Sequence, residues 1–130
     1  MSAVDDVLTR ARTRLTRVAP ADLTSLPADH LLVDIRPLHN RVAEGEIPGA
    51  LPIERIVLEW RLDPNGSHRL PDFTADTTVV VFCNEGYASS LAARDLQDVG
   101  LLKATDLVGG FRAYQSAGLP TQPGGTQAIT

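Results

Sequence analysis

The chain holds a single cysteine, and its surroundings make it the residue best placed to do chemistry. Cys83 follows Thr77-Thr78-Val79-Val80-Val81-Phe82, a β-branched run that predicts a buried strand. It precedes the short segment Asn84-Glu85-Gly86-Tyr87-Ala88 and a helix expected to begin near Ser89. Ligands of open α/β sheets bind at the carboxyl ends of strands. A helix N-terminus adds unpaired N–H groups and positive potential, a setting that favours the reactive thiolate form of a thiol. A loop from Cys83 to Ala88 can curl around the sulfur and direct several backbone amides at it, stabilising a thiolate or a persulfide anion. The plainer reading of a lone cysteine is a buried, inert hydrophobe. The strand–cysteine–loop–helix context favours the reactive one.

The neighbours carry two readings each. Tyr87 is a loop aromatic covering the pocket or a hydroxyl that orients substrate. Ser89 and Ser90 are helix caps or hydrogen-bond donors to substrate. Asp34 and Arg36, at another strand's carboxyl end, form a structural ion pair or border the same pocket. His39 reads as a surface helix position rather than a base, and Trp60 as a core or rim aromatic.

These residues need elements to position them. Ala3 to Val18 carries apolar residues at helical spacing, with Asp5 and Asp6 at its start, arginines after them and Pro20 beyond. It is expected to dock onto the domain rather than lie on a membrane. Leu31 to Ile35 reads as a buried strand and Leu38 to Glu44 as a short helix stopped by Gly45. Leu51 to Ile53 reads as a brief strand and Arg55 to Leu62 as a helix. A helix from Ala88 to Val99 ends at Gly100. Ala104 to Val108 makes a last strand, and a helix around Phe111 to Ala117 is closed by Gly118 and Pro120. Strands alternating with helices predict an α/β fold, a small mostly parallel sheet flanked by helices, with an added N-terminal helix. The expected organisation is an N-terminal helix in 1–18, a domain in 19–120 and a flexible Gly-, Thr- and Gln-rich tail in 121–130.

Composition removes other classes. The 130 residues are 43% hydrophobic and 22% charged, enough for one core-bearing domain. Net charge is −4, against a nucleic-acid partner. No apolar run approaches the roughly 20 residues of a membrane span, and the start lacks a signal-peptide pattern, so a cytoplasmic location is expected. One cysteine excludes an intrachain disulfide, and three scattered histidines give no metal-binding spacing.

Several segments, in order, resemble the rhodanese-like sulfurtransferase domains. Leu32-Val33-Asp34-Ile35-Arg36 is similar to that family's Asp-x-Arg strand end. Gly45-Glu46-Ile47-Pro48-Gly49-Ala50 is similar to its Gly-x-Ile-Pro-Gly-Ala turn, and Val79 to Ala88 to its strand and active-site loop. Leu107-Val108-Gly109-Gly110-Phe111 and Ala117-Gly118-Leu119-Pro120 resemble its Gly-Gly helix and the stop that follows. The resemblance covers roughly Ala19 to Pro120. It implies that Cys83 is a nucleophile taking sulfane sulfur from a small donor such as thiosulfate or 3-mercaptopyruvate. A thiol or cyanide acceptor then discharges the persulfide, without metal or other cofactor. Asn84, Glu85, Gly86, Tyr87, Ala88 and Ser89 would form the substrate-binding loop. Glu85 and Ala88 stand where many members carry cations, which weighs against thiosulfate as the physiological donor. Phosphatase chemistry on this fold needs a Cys-x5-Arg loop, and Ser89 occupies the arginine position. The alternative is a non-catalytic binding or redox-sensing module.

Overall fold

The structure is a computed structural model and describes residues 2–130; Met1, the first residue of the expected 1–18 segment, lies outside them. Strands β1 (Leu31–Asp34), β2 (Leu51–Pro52), β3 (Val79–Phe82) and β4 (Ala104–Asp106) form one parallel sheet in the order β2-β1-β3-β4. Asp34 lies beside Pro52 and Phe82, and Val81 beside Asp106. The residues that follow these strands therefore emerge at one end of the sheet, Cys83 among them.

Among the described residues five α-helices surround it: α1 (Ala3–Arg12), α2 (Leu38–Glu44), α3 (Leu58–Leu62), α4 (Ala88–Asp98) and α5 (Gly110–Ser116). Alternate residues of a strand face opposite sides. Val33, Val79 and Val81 accordingly pack with Leu58, Leu62, Ala92 and Leu96 of α3 and α4. Leu32, Val80 and Phe82 pack with Phe111 and Tyr114 of α5. A parallel sheet covered on both faces explains why β3 is apolar throughout, with none of its four residues exposed. Each such side chain contributes about 1.5–3 kcal/mol by burial. No helix is long and apolar enough to cross a membrane among the described residues.

Three segments depart from expectation. The N-terminal helix stops at Arg12, with Thr13 as its C-cap, instead of running to Val18. Val18 is drawn into extended pairing next to β4: its N–H donates to the Asp106 carbonyl (3.0 Å), and its carbonyl accepts from Val108 N–H (2.8 Å). The helix expected over Arg55 to Leu62 divides into a 3-10 turn, Arg55–Val57, and α3. Val57 leaves helical geometry between them (φ −114°, ψ 2°), and Leu58 and Leu62 are both buried.

Residues 121–130, expected to be flexible, run back along the domain. Ile129 exchanges backbone bonds with Pro52 and Glu54 beside β2 (2.9 and 3.0 Å). Arg41 and Glu46 form a buried ion pair (2.8 Å). Arg41 also donates to the Thr126 carbonyl (2.6 Å), and the Thr126 hydroxyl donates to Glu46 (2.6 Å). Buried charges need their remaining sites satisfied. Thr126 supplies that need, which composition alone does not reveal.

Candidate active site

Cys83 leaves β3 into a loop whose carbonyls are anchored on its outer side. Its own C=O accepts from Phe111 N–H (2.8 Å), and Asn84 C=O accepts from Arg112 N–H (3.0 Å). Gly86 C=O accepts from Arg12 Nη2 (2.7 Å) and Arg17 Nη2 (3.1 Å). In a trans peptide the N–H points opposite to the C=O. The N–H groups of Asn84, Glu85 and Tyr87 therefore face away from these anchors. None of the three donates to a protein acceptor among the described residues, while Gly86 N–H donates to Cys83 Sγ (3.3 Å).

Two glycines make this path possible. Gly86 adopts φ +84°, where a Cβ would lie 2.8 Å from Gly109 N. Gly110 has φ +66°, and a Cβ there would lie 2.5 Å from the Cys83 carbonyl oxygen. The Gly109-Gly110 pair at the start of α5 is thus the floor on which the loop rests.

A cavity of about 420 Å³ opens over the sulfur. Cys83, Asn84, Glu85, Tyr87 and Ala88 line it from the loop, with Ile35, Arg36, Pro37 and Arg55 opposite. Gly86 and Ser89, both expected at the site, are buried beneath and do not line it. The Ser89 and Ser90 hydroxyls neither cap α4 nor face the cavity: both donate to the buried Asp106 carboxylate (2.8 and 2.7 Å). A carboxylate without exposure needs several donors, and Arg17 completes its set (2.8 and 3.2 Å).

Asp34 and Arg36 divide in the same way. Asp34 is fully buried and absent from the cavity wall. It accepts from Arg36 Nε and Nη2 (3.1 and 2.8 Å). Arg36 lines the wall, its guanidinium 4.0 Å from the Phe111 ring centre. His39 is exposed and away from the wall, and Trp60 is 61% exposed, neither core nor cavity rim.

Charges around the mouth are balanced. The Glu85 carboxylate is 59% exposed and turned to Arg112 (2.6 Å). Arg112 also bonds Glu44 (3.0 Å), which holds Glu44 below the usual carboxylate range. Arg55 is the partly exposed cation on the wall, and Glu59 and Asp95 both bond it at 2.7 Å. Arg12, Arg17, Arg55, Asp106 and Arg112 were not singled out from the sequence. They converge from distant segments, and a chain with eleven arginines gives no local signal for which ones do so.

The chain and its fold have known relatives. The chain is 33% identical to a sulfurtransferase of Allochromatium vinosum over 92 residues, 71% of this chain and 78% of that protein. It is 26% identical over 121 residues to the adenylyltransferase and sulfurtransferase MOCS3 of Arabidopsis thaliana, covering 87% of this chain but 26% of that longer protein. Other relatives of that kind, from Candida albicans and Zea mays, are likewise matched over 17–22% of their length. Among solved structures, a Rhodopseudomonas palustris protein described as a possible tyrosine phosphatase superposes with TM-score 0.84 at 32% identity, over 94% of this chain and 96% of that one. The polysulfide-sulfur transferase of Wolinella succinogenes shares the fold, with TM-score 0.69 at 24% identity over 89% and 84% of the two chains. The model of the rhodanese-like domain matches residues 19–117, so the chain belongs to the rhodanese-like domain family.

Proposed function

We propose that this chain is a sulfurtransferase that carries sulfane sulfur as a persulfide on Cys83. The observation that carries the reading is the loop itself. One sulfur stands at the end of a buried strand, with Gly86 N–H on it and the neighbouring N–H groups free of protein acceptors. Such preorganised donors stabilise negative charge on sulfur without reorganising during reaction. With thiosulfate, the Cys83 thiolate attacks the outer sulfur, the S–S bond of the donor breaks, and sulfite leaves with the electron pair. The charged terminal sulfur is then held by the loop amides. A thiol or cyanide acceptor attacks it, forms a new bond to sulfur and returns Cys83 as thiolate.

The residues around Cys83 supply the groups this chemistry uses. The cavity admits a small donor, and Ile35, Pro37 and Ala88 give it an apolar side. Both cations of the wall are paired, Arg55 with Glu59 and Asp95 and Arg36 with Asp34, so the net positive charge offered to a dianion such as thiosulfate is small. Phosphoryl transfer, suggested for the R. palustris protein, needs a cation at the seventh loop position. Here that position is Ser89, committed to Asp106. A binding or redox-sensing role without turnover would use the same cavity and leave Cys83 without transferable sulfur.

Intact-protein mass after incubation with thiosulfate and, separately, 3-mercaptopyruvate tests the reading. A one-sulfur gain is expected from at least one donor, absent in Cys83→Ala and discharged by cyanide. A folded protein that gains no sulfur from either would defeat the assignment of these donors and favour the binding module.

A further inference from the structure

The carbonyl of Gly86 is gripped from outside the domain matched by the family. Arg12 Nη2 and Arg17 Nη2 both donate to it, at 2.7 and 3.1 Å, and both residues precede the matched span of 19–117. Neither contact is incidental to the local structure. Arg12 Nε also donates to Ser90 Oγ (3.1 Å), and its guanidinium lies 5.6 Å from the Tyr87 ring centre. Arg17 is fixed by the two hydrogen bonds it donates to the buried Asp106 carboxylate. Two oriented guanidinium forks therefore meet on one loop oxygen, with a fork's geometry setting direction as well as strength.

We propose that Arg12 and Arg17 are positioning residues for the Cys83 loop. Holding Gly86 C=O on the outer side fixes the peptide plane between Gly86 and Tyr87, which turns Tyr87 N–H away from them and into the amide cradle. Ser90 Oγ also approaches this carbonyl, at a longer 3.4 Å, so the two arginines are its short donors, and without them the peptide loses the contacts that fix its direction most firmly. The N-terminal segment thus completes a site whose sulfur lies some 70 residues later in the chain, 74 for the contact from Arg12. The role rests on Cys83 being the reactive sulfur. Its test does not need sulfur transfer.

The test is the rate of Cys83 alkylation by iodoacetamide at fixed neutral pH, together with the amide resonance of Tyr87. The variants are Arg12→Ala, Arg17→Ala, the double variant and Arg12→Lys. Arg14→Ala serves as control: Arg14 bonds Asp98 of α4 (2.6 Å) and so ties down the same segment without touching the loop. In alkylation the sulfur loses its charge to the departing iodide, so the amide donors act on the resting thiolate: weakening one lowers the reactive fraction at neutral pH, partly offset by the greater nucleophilicity of what remains. Each single variant is expected to slow alkylation about threefold, and the double about tenfold. The Tyr87 amide resonance shifts in proportion. Arg12→Lys, which keeps one donor to the carbonyl, recovers most of the rate, and Arg14→Ala matches the parent. Unchanged rates and an unmoved Tyr87 amide in the double variant would overturn the proposal. So would an equal loss in Arg14→Ala, which would reduce the effect to docking of the segment. Arg12→Lys and Arg14→Ala keep the test decisive should the double variant fail to fold. A parent protein that never gains sulfur would defeat the sulfurtransferase reading and leave this result standing.

Discussion

Adding one methyl group at Gly110 should displace the active-site loop. The residue has φ +66°, and its Cβ would meet the Cys83 carbonyl oxygen at 2.5 Å and the Asn84 carbonyl carbon at 2.6 Å. These are backbone atoms, so no side chain can swing aside. Positive φ costs an alanine about 1 kcal/mol. Relieving the overlap separates α5 from the loop and breaks the bonds from Phe111 N–H and Arg112 N–H, at about 1 kcal/mol each. Gly110→Ala is therefore destabilised by about 3 kcal/mol, a fall in Tm of about 10–15 °C for a chain of this size. Gly118→Ala isolates the backbone part, because Gly118 has φ +74° and no atom within 4 Å of its Cβ position. That variant should lose about 1 kcal/mol and keep full Cys83 alkylation. Calorimetry and the alkylation rate are measured on both. Equal Tm shifts and equal rates in the two variants would refute the claim that Gly110 holds the loop by close approach.

Two further outcomes follow from the charges. Burial pushes the Glu46 carboxyl up, but bonds from Thr126 and Arg41 outweigh it and leave it below its ordinary value of 4.5. The stability it contributes is present above that value and is lost as pH falls through the lowered one. Glu46→Gln at neutral pH should imitate acid: Thr126 and Ile129 amides lose exchange protection, with a cost of about 3 kcal/mol for a broken buried pair; full protection in that variant would contradict the role of Thr126. Glu85→Gln leaves Arg112 with Glu44 alone, so KM for thiosulfate should fall about threefold at low ionic strength and converge with the parent at high salt. A KM unmoved at low salt would mean the cavity does not feel Glu85.

Much of the frame was legible because it rests on local patterns. The β-branched run into Cys83 became β3, and the short helix stopped by Gly45 became α2, with Gly45 at φ 98° as its C-cap. What escaped depends on contacts between distant segments. Ser89 and Ser90 have cap-like chemistry, yet Asp106 claims both hydroxyls from another strand. The direction of Glu85 was set by Arg112, 27 residues away. The helix in 3–18 has a continuous apolar period, but Val18 gains backbone partners beside β4 that a helix would deny it. Segment 121–130 reads as loosely composed, and the unmet needs of a buried ion pair fix it in place.

The two flanks of the sheet are occupied by the chain itself. Val18 lies against the outer side of β4, and Ile129 against the outer side of β2. An open flank is a template for an added strand from another chain, and many domains recognise extended peptides in that way. Here each flank carries a single-residue bridge just past the strand end nearest Cys83, which a visiting strand would have to displace to pair there. The carboxyl ends of the strands, where Cys83 emerges, stay open by contrast, and any molecule that reaches the sulfur there meets side chains and loop residues and no free strand edge.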